Sequence, residues 1–299
     1  MRSEPISGVP VARSSHWGRW LAGGGALLVF GWLATLVVAN PRLDWSQVGH
    51  YLFDQEILSG IAVTVEISVL ATVIGLGLGV LLAVMRLAHS PVLRWLATLY
   101  IGFFRGTPLL VQLIFWYNLA FLFPSLVLKV PFTDIGLRWD TNQVMTGFTS
   151  AMLGLGLNLA AYFAETVRAG IQAVDRGQTE AAYALGMTPA KRMRIIVLPQ
   201  ALRIIIPPTG NEFISMLKTT SLVYVVAGHD LMTNASQIYK ANNLIMELLI
   251  VASLWYMVMT AVATFLQSRL EQRFGSDAVR LVRPGGLAAR ILPRRTVTA

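Results

Sequence analysis

The chain has no cysteine. Disulfides, thiolate metal sites and a cysteine nucleophile are therefore excluded. Histidine is scarce as well: His16, His50, His89 and His229 are the only four, and no two are spaced as a ligand pair. The sequence thus predicts no metal site and no bound cofactor. Charge is low. Asp, Glu, Lys and Arg make up 13% of the 299 residues, against roughly 25% in an ordinary soluble domain. There is no GxxxxGK[ST] run, and the run at Gly75, Gly77 and Gly79 lacks the Lys-Ser/Thr of a P-loop, so ATP hydrolysis by that route is excluded. A membrane-embedded enzyme would show a His/Asp/Glu or Ser/His cluster at one membrane face, and a secondary transporter would show repeat symmetry. Neither is visible.

What is abundant is apolar: 55% of the chain. A crossing helix needs about 20 mostly apolar residues. Six candidates emerge, near 19–39, 58–85, 107–124, 145–167, 207–227 and 244–267. The first is read as a retained anchor, because the run Trp20–Ala39 is longer than a signal-peptide core. With the N-terminus inside, the inner segments hold 19 Lys and Arg. The outer loops hold four (Arg42, Lys129, Arg138, Lys240), and Lys218 falls within a span. The excess predicts both termini in the cytoplasm. It also explains the net charge of +9 without nucleic-acid binding. Trp45, Tyr51, Trp139 and Tyr239 flank the outer loops as an aromatic belt.

Between the fourth and fifth spans lies a polar, basic island, 168–206. Its helix former Thr179–Leu185 is stopped by Gly186. Thr188-Pro189 reads as N-cap and first residue of a second helix ending at Leu198-Pro199. A bare amphipathic helix on the bilayer is the plain alternative. The pattern Glu180-Ala181-Ala182, then Gly186, Ile196, Leu198 and Pro199 closely resembles the EAA loop of permease subunits in bacterial ATP-binding-cassette (ABC) importers. Phe104-Arg-Gly-Thr107-Pro108-Leu-Leu-Val-Gln112, with Thr107 as N-cap, resembles a signature of the polar amino acid branch. Residues 92–104 read as an interfacial elbow.

Charges within spans are functional candidates by default. Asn158, Tyr162 and Glu165 fall at i, i+4 and i+7 on one face of the fourth span. In the fifth, Asn211, Ser215 and Lys218 share a face, and Thr219-Thr220-Ser221 can satisfy backbone groups where a helix unwinds. The runs 161–168 and 211–222 also resemble polar amino acid permeases, although Thr219 stands where many relatives carry Asp. A free amino acid needs a cationic or dipolar partner and an acidic or carbonyl one. Asn158, Tyr162, Glu165 and Lys218 supply those types. Alternatively, Glu165 pairs with Arg168 and Lys218 with Glu212. Glu66, near the outer end of its span, reads as structural.

The resemblance covers about residues 58–275 and implies a five-helix type I ABC importer permease core; with the N-terminal helix read from its apolar run, the expected fold is all-α integral membrane with six transmembrane helices. Residues 1–57 would be a cytoplasmic tail, that helix and the first outer loop. Residues 58–275 would be the permease domain with its coupling loop, and 276–299 a basic, disordered cytoplasmic tail. The resemblance also implies an amino acid importer of a bacterial inner membrane working by alternating access. Its partners would be an ABC ATPase dimer binding ATP and Mg, a second permease subunit, an extracytoplasmic solute-binding protein and lipid. A permease for another small polar solute, or an ion-coupled transporter, are the alternatives.

Overall fold

The computed structural model describes residues 17–129 and 136–275. The two tails of the sequence reading, including the 276–299 segment, lie outside them. The chain divides into one unit ending at Gln47 and another beginning at Val48. The first holds α1 (Trp17–Val38) and the start of α2 (Trp45–Leu52). Within it, Trp45 Nε1 donates to Val38 O at 3.0 Å.

The second unit is built on α3 (Gln55–Leu87) and α8 (Gly147–Gln172). Asp54 caps α3 by accepting from Glu56 N, and Thr146 caps α8 through Thr149 N. No proline interrupts either helix. Their 33 and 26 residues give about 50 and 39 Å of helix, more than the hydrocarbon core requires. The two pack backbone to backbone. A Cβ on Gly75 would stand 2.7 Å from Leu159, and one on Gly156 would stand 3.2 Å from Ala71 O. Bare glycines are what permit this approach, as in other membrane helix pairs.

Four of the described helices are long and apolar enough to cross a membrane: α1, α3, α8 and α13 (Ile245–Gly275). The predicted elbow at 92–104 is a helix of its own, α4 (Pro91–Gly106); the chain then turns by 101° into the predicted third span, which is α5 (Leu109–Tyr117) and the single turn α6 (Leu119–Leu122). Ser90 caps α4 with Pro91 in its first turn, and Ala97, Ile101 and Phe104 form its buried stripe. Thr107 does not cap α5 as the sequence suggests; Pro108 stands at that position without a side-chain bond.

The predicted fifth span is the second half of α11 (Leu198–Thr219) followed by a 3-10 helix, Thr220–Val226. Its polar residues keep it out of the apolar set. The helix tightens at the expected Thr-Thr-Ser, where Thr219 Oγ1 donates to Ser215 O and Thr220 Oγ1 to Leu217 O. Ala227 then turns left-handed at φ 51° and ends it.

The loops predicted between spans carry structure of their own. Strands β1 (Ser125–Lys129) and β2 (Gly136–Asp140) form an antiparallel hairpin pairing Val127 with Arg138, and α7 (Thr141–Val144) follows. The last loop is α12 (Leu231–Asn242), capped by Asp230. Its first amide donates to buried Thr64 Oγ1 at 3.0 Å, and Asn234 Nδ2 donates to Glu56 O at 2.8 Å. A polar helix is thereby fixed against α3.

Candidate functional site

The island between α8 and α11 is a compact helix pair, α9 (Arg176–Ala184) and α10 (Pro189–Arg192). Asp175 caps α9 by accepting from Gly177 N at 2.6 Å. Its end is a Schellman turn: Gly186 N donates to Tyr183 O at 2.9 Å and Met187 N to Ala182 O at 3.1 Å. That turn needs a left-handed residue, and Gly186 supplies it at φ 71°. Thr188 then caps α10 through Lys191 N with Pro189 in the first turn.

The second helix does not stop at Leu198-Pro199. The chain passes through a π turn, Met193–Val197, and stays helical to Thr219. Leu198 N reaches back five residues to Met193 O. Pro199 has no N–H and its ring crowds the carbonyl four residues back; the widened turn makes room for it. The loop and α11 are therefore one mechanical piece. Its roots, Val174 and Val197, are buried with Val167, Ala201 and Ile205 in the core that joins α4, α8 and α11.

The seven predicted coupling residues fall into two groups. Ala182 is buried, and Ile196 is half-buried. Glu180, Ala181, Gly186, Leu198 and Pro199 are exposed. Glu180 lines a groove of about 460 Å³ with Tyr183, Arg192 and Met193. Tyr183 and Leu185, two residues apart at the end of α9, are 76% and 81% exposed.

The four predicted pathway residues do not form one cluster. Asn158 Nδ2 donates to Gln112 Oε1 at 3.1 Å and to Phe104 O at 3.2 Å. Exposed Tyr162 carries the Arg105 guanidinium over its ring at 5.3 Å. Asn158 and Tyr162 line a cavity of about 70 Å³ between α8 and α11, closed by Glu212, Ser215 and Thr219 with Leu155, Leu159 and Met216. Glu165 lies elsewhere. It bridges Arg86 on α3 and Arg168 on its own helix, the latter at 2.7 Å. Lys218 is exposed on α11 and, among the described residues, has no ion-pair partner, Glu212 included.

Two residues gain roles that the sequence reading did not assign. Glu212 faces the cavity; its signal was a carboxylate inside a span. Gln112 holds the sharp corner between α4 and α5. Its Nε2 donates to Phe104 O, Thr107 O and Thr107 Oγ1 at 2.8–3.1 Å, and it is 4% exposed. A Gln112→Leu variant should lose about 2 kcal/mol of stability from the unsatisfied carbonyls it leaves. Thermal unfolding of the detergent-purified protein measures this.

Residues 75–276 match the family described as the binding-protein-dependent transport system inner membrane component. The chain belongs to that family. It is similar to the arginine transport system permease protein ArgU of Corynebacterium glutamicum, 41% identical over 96% of this chain and 88% of the relative. It is also similar to the glutamate/aspartate import permease protein GltK of Escherichia coli, 37% identical over 78% of this chain and 98% of that one. A solved amino acid ABC transporter with histidines superposes with a TM-score of 0.63 at 38% identity, covering 73% of this chain and 94% of that chain. The protein is thus a multi-pass inner membrane permease subunit of the type I ABC fold, mostly helical and non-catalytic, and the ATPase is a separate subunit.

Proposed function

We propose that this permease is the translocating subunit of an ABC importer for amino acids, cycling by alternating access. The permease relatives are named for arginine, glutamate/aspartate, glutamine and cystine, which supports an amino acid cargo. The basic excess of 19 residues against four supports cytoplasmic termini, and with them a cytoplasmic helix pair α9–α10. ATP and Mg bind to a partner ATPase dimer. A second permease copy or paralogue completes the pathway, and an extracytoplasmic binding protein delivers the solute.

One observation carries the mechanism. Exposed Tyr183 and Leu185 stand on a helix pair whose continuation is α11, without a break. An ATPase seated on that tip would push α11 directly. Glu180 to Pro199 carry the coupling. The solute passes along the polar faces of α8 and α11, marked by Asn158, Tyr162, Glu165 and Lys218.

The test is reconstitution with its partner ATPase and binding protein. Labelled amino acid should accumulate in proteoliposomes only with ATP. Accumulation driven by an ion gradient without ATP, or ATP-driven uptake of some other solute class alone, would overturn the reading.

A further inference from the structure

Two consecutive prolines, Pro207 and Pro208, stand inside α11. Neither has an N–H, so the carbonyls of Arg203 and Ile204, four residues back, lose their helical donors. Thr209 Oγ1 donates to the next carbonyl, Ile205 O, at 2.7 Å. The helix continues to Thr219, but its backbone is weakest at this point.

The prolines also divide what α11 packs against. Before them, Ala201 and Ile205 are buried with Phe163, Ala164 and Val167 of α8. That contact is close: a Cβ on Gly170 would stand 2.4 Å from Ile205 Cγ1. Past them, Met216 is buried in a separate cluster with Leu155 and Leu159. The first half of α11 continues from the α9–α10 pair. The second half carries Asn211, Glu212, Ser215, Lys218 and Thr219. A push from the helix pair must therefore cross a joint with two missing bonds.

One side chain from another helix grips the turn just past that joint. Gln267 of α13 is half-buried. Its Nε2 donates to Pro207 O at 3.3 Å and to Asn211 Oδ1 at 3.2 Å. A third contact, to Glu271 Oε1 at 2.7 Å, ties the amide to its own helix. Pro207 O and the Glu271 carboxylate only accept, so the amide can face them only with its nitrogen. Its Oε1 is left buried with no partner among the described residues. Gly210 makes the seat: a Cβ there would stand 2.7 Å from Gln267 Cγ and Cδ. Side-chain amides that bond across helices are a recurrent means of fixing membrane helix pairs.

Resting on the importer reading above, we infer that Gln267 is a positioning residue for transport: it holds the turn past Pro207-Pro208 against α13, so that movement of the α9–α10 pair reaches the polar face of α11. Without that grip the first half of α11 moves, the joint absorbs the movement, and ATP is hydrolysed with little transport.

The experiment uses the permease–ATPase complex with its binding protein in proteoliposomes and reads amino acid uptake per ATP hydrolysed. Gln267→Met keeps an unbranched side chain over Gly210 and removes the donor. It should lower uptake per ATP about fivefold, the size of effect one residue on a coupling path can have. The ATPase rate and the melting temperature should stay near wild type. Gly210→Ala should do the same from the other helix, by displacing the amide. Pro207→Ala with Pro208→Ala restores the two backbone donors. Added to Gln267→Met, this pair should recover most of the uptake per ATP, because a continuous helix no longer needs the grip. Melting temperature, ATPase rate and uptake falling together, at constant uptake per ATP, would show a plain structural contact and overturn the inference. So would an unchanged ratio in both Gln267→Met and Gly210→Ala, or no recovery with the proline replacements. The importer reading is judged separately: its failure would appear as no ATP-driven uptake by the wild type.

Discussion

Gly186→Val should abolish ATP-driven uptake and weaken co-purification with the ATPase, while the membrane helices stay folded. The reason lies in the backbone. Gly186 sits at φ 71°, where an L-residue costs roughly 1–2 kcal/mol and a β-branched one more. Nothing lies within 4 Å of a Cβ built there, so crowding is not the cause. To relieve the strain the chain must undo the turn, releasing the bonds to Tyr183 O and Ala182 O. The angle between α9 and α10 is then no longer fixed, and a push on Tyr183 and Leu185 reaches α11 poorly. Gly186→Asn tests this account, because asparagine tolerates the left-handed conformation. It should retain most of the uptake. Full coupling in the valine variant would sink the proposal. Equal loss in both variants would shift the cause from backbone to side chain.

Much of the frame was legible as runs of apolar length. α3, α8 and α13 follow from such runs. The caps at Thr188-Pro189 and Gly186 follow from residue type, because their chemistry is local. The tightening at Thr219 to Ser221 was legible for the same reason. Continuity through Pro199 was not. Proline usually marks a boundary, and the π turn that accommodates it is a property of the folded piece. Nor were the structured loops. The α12 sequence, Leu231 to Asn242, is short and polar; it is held as a helix by Thr64 and Glu56, more than 160 residues earlier in the chain. Isolated, such a helix would be marginal.

The intramembrane site was legible in type more than in arrangement. Periodicity put Asn158 and Tyr162 on one face, and both line the cavity. On α11 the same reasoning chose Asn211, Ser215 and Lys218, but the cavity follows Glu212, Ser215 and Thr219. Both stripes pass through Ser215, and helical spacing alone cannot decide which one turns inward. Glu165 had two readings, and its partner Arg86, 79 residues away, could not be found by any local rule.

Glu165→Ala should be among the most destabilising single changes in the membrane domain. Glu165 ties two helices together: Arg86 near the end of α3, and Arg168 at 2.7 and 2.9 Å on α8. Its removal leaves two guanidinium groups near each other at one end of a glycine-packed helix pair. Breaking a buried pair costs about 3–5 kcal/mol. These side chains are 17–29% exposed, so about 2–3 kcal/mol is expected after screening. Arg86→Met should cost less, because Glu165 keeps Arg168. The triple change Arg86→Met, Glu165→Leu, Arg168→Met should recover most of the loss, since apolar replacement of a whole buried ionic set is often neutral. Thermal unfolding of the detergent-purified protein ranks the three. Uptake per folded transporter then separates the two readings of Glu165. If it is a clasp between α3 and α8, the triple variant regains transport along with stability. If it contacts the solute, stability returns and transport does not, and Glu165 rejoins Asn158 and Tyr162 on the pathway.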